Sequence, residues 1–379
     1  FQKRRTQVRA GYALQFNGSI YNQFPSRLAA QPPFANTATV NTSVDRVLTI
    51  QNGFATTPSQ TITNTYAVDR HYRVAYAQTW SLSVQQPVAR SWVAEIGYLG
   101  AKGTRLDVQR LPNRAAPGSP LTAEQRRQIG NAVGFTFDSA EGNSIYHAGT
   151  IRLTRRFTHG VSSNLSYAYA KSIDNASSLG GGAAVVAQND KDLSAERARS
   201  SFDQRHALSL NWVVNSPVSE SAKVIPLNGL GLRLFKDWTL SGGLTASSGT
   251  PLTARVLGSQ ADTGGTGSVG SGRADVTGQP IGAGDGFFNL LAFAVPVAGF
   301  GNAGRNTIDG PNRFAMNLSL SRAFRLDERR RLEFRLDSQN FLNHASFTGL
   351  GTVVNALNYG LPTGVSGMRT INTTLRLRF

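Results

Sequence analysis

The sequence predicts an all-β protein whose strands form an antiparallel transmembrane β-barrel wall, with about ten strands in this chain. Three observations favour this fold. Apolar and polar residues alternate along several segments, tight turns and long loops alternate between those segments, and no apolar run of about 18 residues offers a membrane-spanning helix. A period of two places successive side chains on opposite faces of a strand. Each segment would therefore have one apolar face and one polar face.

The clearest pair of predicted strands lies between Asn312 and Leu342. From 314 to 324, most even positions are apolar, whereas the odd positions are small or polar. The charged residues 327–330 turn the chain, and at 332–339 apolar residues again alternate with charged or polar ones. Because a transmembrane barrel meets lipid outside and water inside, the apolar face is expected to point outward and the polar face inward.

Eight further segments show the same alternation. They lie at 7–16, 74–84, 92–98, 145–157, 161–169, 206–214, 238–246 and 370–379. Segments of about 9–11 residues suffice to cross a bilayer at a tilt. Tryptophan and tyrosine fall mostly near the segment ends, where an interfacial girdle would hold them. A soluble β-sandwich is disfavoured, because one face of so many long strands would carry charges.

The connections between the segments fall into two classes that alternate along the chain. Short turns are predicted at 87–90, 158–160 and 326–330, and 215–236 is the loosest member of this class. Long loops are predicted at 17–73, 106–143, 171–201, 250–312 and 343–368. Short periplasmic turns and long extracellular loops are typical of outer-membrane barrels. Within the loops, we expect a short strand near 47–50 and a short helix from Thr122, where the spacing fits a capping box.

The charge balance admits an alternative. Lys and Arg number 39 against 22 Asp and Glu, a net charge of +17, and so basic a soluble protein would suggest nucleic acid as a partner. Here the basic residues are scattered, and the only dense runs, 3–5 and 329–331, lie at predicted strand ends, where they can meet lipid head groups. We therefore expect outer-membrane lipid, and no nucleic acid, as the partner. The absence of cysteine excludes disulfides.

Several sequence motifs, in order along the chain, resemble one family. They are YAQTWSLSVQ at 76–85, EIGYLGAKGT at 95–104, NSIYHA at 143–148, YAYAKSIDNASS at 167–178, FDQRH at 202–206, FGNAGRN at 300–306 and FLNH at 341–344. Together they resemble the barrel of Oar-like TonB-dependent transporters. The resemblance covers nearly the whole chain, although no single motif is diagnostic.

The resemblance implies a plugged barrel of about 22 strands, of which residues 1–379 would be the C-terminal portion. The chain begins with Phe1 rather than methionine, so we expect it to be a piece of a longer protein. Such a barrel sits in the cell outer membrane and takes up a scarce, bulky nutrient such as a siderophore, an oligosaccharide or a peptide. The implied partners are the TonB energy-coupling complex, acting through a missing N-terminal segment, and the protein's own plug domain, which is absent here. No cofactor is implied.

The candidate site residues are charged side chains on the predicted inward face. They are Glu95, Arg152, Glu333, Arg335, Asp337, Arg376 and Arg378. They would line the lumen and contact the plug or the substrate, or they would form a cross-strand ion ladder with no further role. The final Phe379 resembles the terminal aromatic signal that the barrel-assembly machinery reads.

Other motifs carry weaker signals. The GxGxxG at 265–270 follows no buried strand and is interpreted as a flexible loop, and the acidic stretch 190–196 lacks the glycine and distal glutamate of a calcium loop, which favours a solvated loop. The five histidines lack metal-ligand spacing. Asp203 and His206 come without a nucleophile, which favours strand capping. We therefore expect neither catalysis nor a metal site.

Two other functions remain open on the sequence. A passive, porin-like or adhesion barrel would show the same strands without energy coupling. A soluble basic β-protein that binds nucleic acid would share the charge but not the membrane-facing stripe.

Overall fold

The computed structural model describes residues 6–35, 49, 51, 65–113, 126–129, 135–175, 187–216, 235–256, 272–282, 286–297 and 299–379. The strands of the described residues are β1 (Gln7–Asn17), β2 (Tyr66–Val68), β3 (Ala75–Pro87), β4 (Trp92–Arg110), β5 (Thr136–Thr158), β6 (Val161–Asp174), β7 (Ala198–Arg199), β8 (His206–Asn215), β9 (Trp238–Ser247), β10 (Asp275–Val276), β11 (Phe293–Ala294), β12 (Arg313–Arg325), β13 (Arg331–Gln339), β14 (Phe347–Leu350), β15 (Pro362–Val365) and β16 (Thr370–Arg378). One α-helix, α1 (Gln23–Ala29), and short 3-10 turns at Ser19–Asn22, Ser194–Glu196 and Leu290–Ala292 complete the described elements.

Ten long strands form one sheet in the order β1-β3-β4-β5-β6-β8-β9-β12-β13-β16. Each pairs antiparallel with its neighbours in this order, while β2 and β7 add short pairings to β5 and β6. The ten predicted segments are therefore confirmed as neighbouring strands of one antiparallel sheet. Consecutive antiparallel pairing needs only a hairpin connection, which explains why tight turns suffice at one rim.

The register keeps apolar side chains on one face across the sheet. In the centre, Leu165 lies opposite Leu210, and Leu210 lies opposite Leu244. Near the two ends of the sheet, the side chains of Val8 and Leu375 are 65% and 66% exposed. An apolar stripe this long and this exposed would be unstable in water, so its environment has to be hydrocarbon.

Aromatic and cationic side chains border the apolar face near the rim of short turns. The Arg155 guanidinium lies 5.8 Å from the ring centre of Trp92, and that of Arg322 lies 5.5 Å from the ring centre of Trp238. Indole rings stacked with guanidinium groups suit a membrane–water interface, because one part of the pair is apolar and the other is wet.

Tyrosine–histidine pairs border the same face toward the rim of long loops. The Tyr98 hydroxyl lies 2.7 Å from Nδ1 of His147, and the Tyr167 hydroxyl lies 2.8 Å from Nδ1 of His206. Each pair spans two neighbouring strands. These side chains form a second polar–aromatic border, as the predicted girdle requires.

The predicted loop at 106–143 is wrong in its bounds. β4 continues to Arg110, and β5 starts at Thr136, so this hairpin rises well beyond its neighbours. A register shift follows Thr104, and Arg105 has a positive φ of 56°. The irregularity interrupts the two-residue alternation, which is the reason the sequence pattern ends too early.

The predicted loop at 17–73 contains regular structure. α1 buries Phe24 against Tyr72, with ring centres 5.0 Å apart, and β2 pairs in parallel with β5. The strand expected at 47–50 and the helix expected from Thr122 fall almost entirely outside the described residues. No helix in the described part of the chain is long and apolar enough to span a membrane.

The sheet is open in the described residues. Its pairing runs from β1 to β16, and every residue of these two strands is exposed. The outer edges of β1 and β16 therefore leave backbone donors and acceptors without a partner strand, which is costly in hydrocarbon.

We expect the two faces to respond differently to charge. Leu210→Arg places a cation near the middle of the apolar face and should cost about 2–4 kcal/mol of unfolding free energy in a bilayer. The control Asn211→Arg, at an exposed position on the opposite face, should change it by less than about 1 kcal/mol. Denaturant unfolding of the intact protein in lipid vesicles measures both changes, and equal losses would contradict the assignment of the faces.

Candidate functional site

The polar face of the sheet carries the predicted site residues. Glu95 lies directly opposite Arg152, and Glu333 lies directly opposite Arg376. Nε of Arg378 lies 3.0 Å from Oε1 of Glu333. These pairs belong to two separate groups, one on β4 and β5 and the other on β13 and β16, so the structure does not bring all the predicted residues into one site.

The remaining predicted residues lie beside the second group. Nε of Arg335 is 2.8 Å from Oδ2 of Asp337 on the same strand, and the two side chains are 59% and 31% exposed. Ion pairs this exposed contribute roughly 0–1 kcal/mol each. Phe379 follows β16 and is 92% exposed. Lining of a lumen by these charges, and recognition of Phe379 during assembly, stay predictions.

The most densely built region is the loop assembly, which we define as residues 187–205, 250–256, 272–282, 286–297, 299–312 and 343–366. It has its own hydrophobic core beyond the ends of the long strands. The core residues are Ala254, Val256, Ala274, Phe288, Ala292, Phe293, Ala303, Ile308 and Leu350. The pairings β10–β11 and β14–β15 tie this core together. Three of the predicted surface loops are therefore packed against each other.

Isolated β-bridges connect the segments of the loop assembly. Arg255 bridges antiparallel to Arg273 and parallel to Val353, and Leu252 bridges to Ile308. Since side chains alternate along an extended segment, Ala254 faces the core while Arg255 faces away from it. Burying an aliphatic side chain such as Ile308, which is 0% exposed, stabilises the assembly by about 1.5–3 kcal/mol.

A buried ion pair joins the loop assembly to the end of β6. Nη2 of Arg305 donates to Oδ1 of Asp174 at 2.6 Å and to the Asp174 carbonyl at 2.7 Å. Nε of Arg305 donates to the carbonyl of Glu196 at 3.0 Å. Both side chains are almost completely buried. A buried charge is tolerated only when it is paired and hydrogen-bonded, so these contacts fix the loop over the strand.

A second buried ion pair lies within the loop assembly. The Nη1 and Nη2 atoms of Arg273 each lie 3.3 Å from a carboxylate oxygen of Glu196. Burial lowers the pKa of the Arg273 guanidinium, and the Glu196 charge opposes this shift. Gln188 adds a further contact between segments of the loop assembly, because its Nε2 donates a hydrogen bond to the Gly301 carbonyl at 2.6 Å.

The sequence predicts a solvated loop at 190–196, and this prediction is wrong for part of the stretch. Glu196 is 1% exposed, and Asp190 accepts two hydrogen bonds from Arg110 of β4, at 2.9 and 3.0 Å. Ion pairing across the fold gives these carboxylates a structural role. No group of three or more metal-ligating side chains occurs in the described residues. The GxGxxG at 265–270 lies outside them.

Asp203 and His206 serve different neighbours. Oδ1 of Asp203 accepts a hydrogen bond from the backbone N–H of Ser172 at 2.6 Å, while His206 faces Tyr167 on the lipid side of the sheet. The side chain of Asp203 is buried and holds the chain reversal before β8 against the end of β6. This is a capping role, and the two residues do not form an acid–base pair.

The packing of the loop assembly accounts for the residues of the FGNAGRN motif at 300–306. A Cβ on Gly301 would lie 1.9 Å from the Arg273 carbonyl, so only glycine allows the two segments to approach. Asn306 has a positive φ of 57°, and its backbone N–H and Oδ1 both bond to the Thr253 hydroxyl, at 2.9 and 3.0 Å. The motif is thus the part of the chain that locks the loop assembly together.

Of the cavities that the loop assembly lines, two lie against the polar side of the sheet and share a lining residue. One of about 730 Å³ lies between the polar residues of β6, β8, β9 and β12 and the segment that covers them, which includes Ser346 and Met368. The other, of about 440 Å³, lies within the assembly between residues 250–255 and the β14–β15 hairpin. Thr348 lines both cavities. Cavities of this order of volume bind ligands of drug size in other proteins.

The sequence reasoning missed this site. Its residues lie in the stretches predicted as loops, and its ion pairs join positions as far apart as Asp174 and Arg305. The signal that was available is the set of family-like motifs, because Asp174, Asp203 and Arg305 each lie in one of them.

A ten-stranded sheet with a lipid-facing stripe, two aromatic borders and long loops on one rim defines the wall of a transmembrane β-barrel. The chain belongs to the family described as outer membrane beta barrel domain, whose model matches residues 1–372. It is therefore an outer-membrane protein, and the alternative of a soluble basic β-protein is wrong. No curated protein matches the sequence.

Solved structures of outer-membrane proteins are similar to this chain. The outer membrane transporter YddB from Escherichia coli matches 98% of this chain with 12% identity and a TM-score of 0.51, over 38% of its own length. The pyoverdine outer membrane receptor FpvA from Pseudomonas aeruginosa PAO1 matches 100% of the chain with 8% identity and a TM-score of 0.47, over 34% of its length. The siderophore receptor PiuA from Acinetobacter baumannii matches 98% with 11% identity and a TM-score of 0.44, also over 34%.

This likeness concerns the fold, and the chain spans less than two fifths of the length of each of these proteins. The predicted outer-membrane β-barrel is confirmed by the family model.

Removing the Arg305 side chain should destabilise the loop assembly. Arg305→Leu leaves the buried Asp174 carboxylate without its guanidinium partner, at a cost of about 3–5 kcal/mol. The control Arg330→Leu breaks an exposed pair with Asp327, 3.6 Å apart, and should cost less than about 1 kcal/mol. Limited proteolysis of the intact protein measures the difference as faster cleavage within 187–205 and 299–312 for Arg305→Leu alone. Equal cleavage rates for the two variants would contradict the structural role of the pair.

Proposed function

We propose that this protein is part of a TonB-dependent transporter that takes up a scarce, bulky nutrient across the outer membrane. In this mechanism the long loops capture the solute, a plug inside the barrel rearranges when the inner-membrane partner supplies energy, and the solute passes through the lumen. The nutrient would be a siderophore, an oligosaccharide or a peptide, because loops of this kind carry the specificity of a barrel.

The observation that carries the proposal is the packed loop assembly beside the polar face of the sheet. A passive pore needs an open, water-filled lumen. Here buried pairs such as Arg305–Asp174 hold the loops in one arrangement, and cavities of about 730 and 440 Å³ adjoin them. A preformed binding site reduces the entropy lost when a ligand binds, which suits the capture of a dilute solute.

The transporter would contact further strands, a plug domain and other proteins. The ten strands would form the C-terminal portion of a larger barrel, since the exposed strands β1 and β16 need neighbours in lipid. A plug domain would contact the polar face, where Glu95 and Arg335 are candidates for contact. The TonB complex would act on a segment outside this chain, and the barrel-assembly machinery would read Phe379.

Energy dependence separates the proposed transporter from a passive barrel. In planar bilayers, the purified intact protein should show little steady ion conductance, because a plug closes the lumen. A porin-like channel would conduct steadily and would overturn the proposal.

Growth on a limiting nutrient provides the cellular test. Cells that carry the intact gene should outgrow a deletion strain on at least one nutrient from the three classes, and the advantage should disappear when the TonB gene is deleted or the proton gradient is collapsed. A growth advantage that survives both treatments would contradict energy coupling. A strain that carries only Arg305→Leu tests the loops, and it should lose most of the advantage while it keeps a folded barrel.

A further inference from the structure

The loop assembly contains five buried or half-buried arginines, and carboxylates of the described residues pair with four of them. Arg199 pairs with Asp309 and Arg205 with Asp203. Arg305 pairs with Asp174 and Arg273 with Glu196. Of the described carboxylates, none lies within 4.0 Å of Arg255, and its buried Nε has no hydrogen-bond partner among the described residues. Burial lowers the pKa of the Arg255 guanidinium, and no charge of the described residues opposes this shift. A cation withdrawn from water without an acid is costly unless something else pairs with it.

Arg255 lines a cavity of about 440 Å³. The other polar groups of the lining are uncharged, and no aspartate or glutamate of the described residues belongs to it. Hydroxyl or amide groups come from Ser201, Thr348, Thr352, Thr363 and Asn358. One guanidinium surrounded by neutral donors and acceptors is the chemistry that binds a ligand with one anionic group and several hydroxyls.

The position of the cavity selects a soluble ligand over a lipid. Thr348 also lines the larger cavity against the polar face, so the two spaces adjoin on the side of the sheet away from hydrocarbon. A lipid head group would instead meet the border of the apolar face, where Tyr167 and His206 lie. The backbone around Arg255 is held on both sides by its bridges to Arg273 and Val353, so the start of the side chain is fixed beside the cavity.

We infer that the Arg255 cavity binds the acidic group of a soluble, polyhydroxylated ligand such as a uronic acid or a sugar phosphate. Arg255 forms a two-point contact with the carboxylate or phosphate, and the threonine hydroxyls contact the hydroxyls of the sugar. This inference rests on the proposed uptake function and narrows its substrate class to acidic saccharides.

Binding to the purified intact protein in detergent tests the inference. The probes are D-glucuronate, D-glucose 6-phosphate, neutral D-glucose and inorganic phosphate, and isothermal titration calorimetry gives the affinities. The two acidic sugars should bind at least 10-fold more tightly than either glucose or phosphate. Arg255→Met, which keeps the aliphatic stem, should weaken their binding by about 10- to 100-fold, and Arg255→Lys should fall between, since it loses the planar fork.

One control variant and one second test variant separate a loss of binding from a loss of folding. Arg330→Met lies in the exposed turn of the opposite rim and should leave binding unchanged. Thr348→Val changes an exposed hydroxyl of the cavity without altering charge, and should weaken binding several-fold while the protease resistance of the loops stays at the wild-type level. If the wild-type protein binds none of the acidic sugars more tightly than glucose, or if Arg255→Met binds them as the wild type does, the inference is wrong. Phosphate that binds as tightly as the sugars would also overturn it.

The binding measurement does not depend on energy coupling. A protein that binds acidic sugars through Arg255, in cells whose growth advantage survives loss of TonB, would keep this inference and overturn the proposed transport mechanism. TonB-dependent growth without any binding of acidic sugars would keep the transport mechanism and overturn this inference.

Discussion

The buried pair between Arg305 and Asp174 is the interaction on which the arrangement of the loops depends. Nε of Arg305 also donates a hydrogen bond to the carbonyl of Glu196, and the side chain of Glu196 pairs with Arg273. Four charges of the chain are thereby removed from water at one place. A buried pair of this kind adds little stability over an apolar contact, yet a broken pair is costly, so it acts mainly to exclude other arrangements of the same loops. For a binding surface made of loops, one fixed arrangement is the useful property.

A second constraint comes from the membrane. Hydrocarbon supplies no hydrogen-bond partner, so every backbone group of the wall has to pair with a neighbouring strand. The same hydrocarbon accepts the leucine, valine and tryptophan side chains of one face, and water beside the other face accepts the arginines and carboxylates. The two solvents explain why the sheet keeps its alternation from β1 to β16 while the loop assembly shows no simple period.

The two constraints meet at the ends of the strands. Ser172 and Asp174 complete β6, and their backbone and side chains bind the segment around Asp203 and the motif around Arg305. The rigid sheet therefore positions the loops, and the loops position Arg255 and the hydroxyl groups of the smaller cavity. A site on loops reaches the precision needed for selective binding only when a rigid element supports it in this way.

The sequence by itself determined the wall. The number of long strands, the face each residue takes and the rim of short turns follow from a local pattern that each strand has to satisfy separately, because lipid and water act on every strand alike. The early end predicted for β4 shows the limit of that pattern, since two register shifts between Thr104 and Val108 break it.

Only the tertiary structure decided the loop assembly and its cavities. Asp174 and Arg305 are 131 positions apart, and nothing in the residues near either one indicates the other. The sequence predicts a solvated loop at 190–196 because the stretch lacks the glycine and distal glutamate of a calcium loop. Glu196 is nevertheless buried, because Arg273 reaches it from another loop. The packing of segments distant in the chain decides which charges pair with each other. It also decides that Arg255 lines a cavity instead. The sequence lists these residues without stating their neighbours.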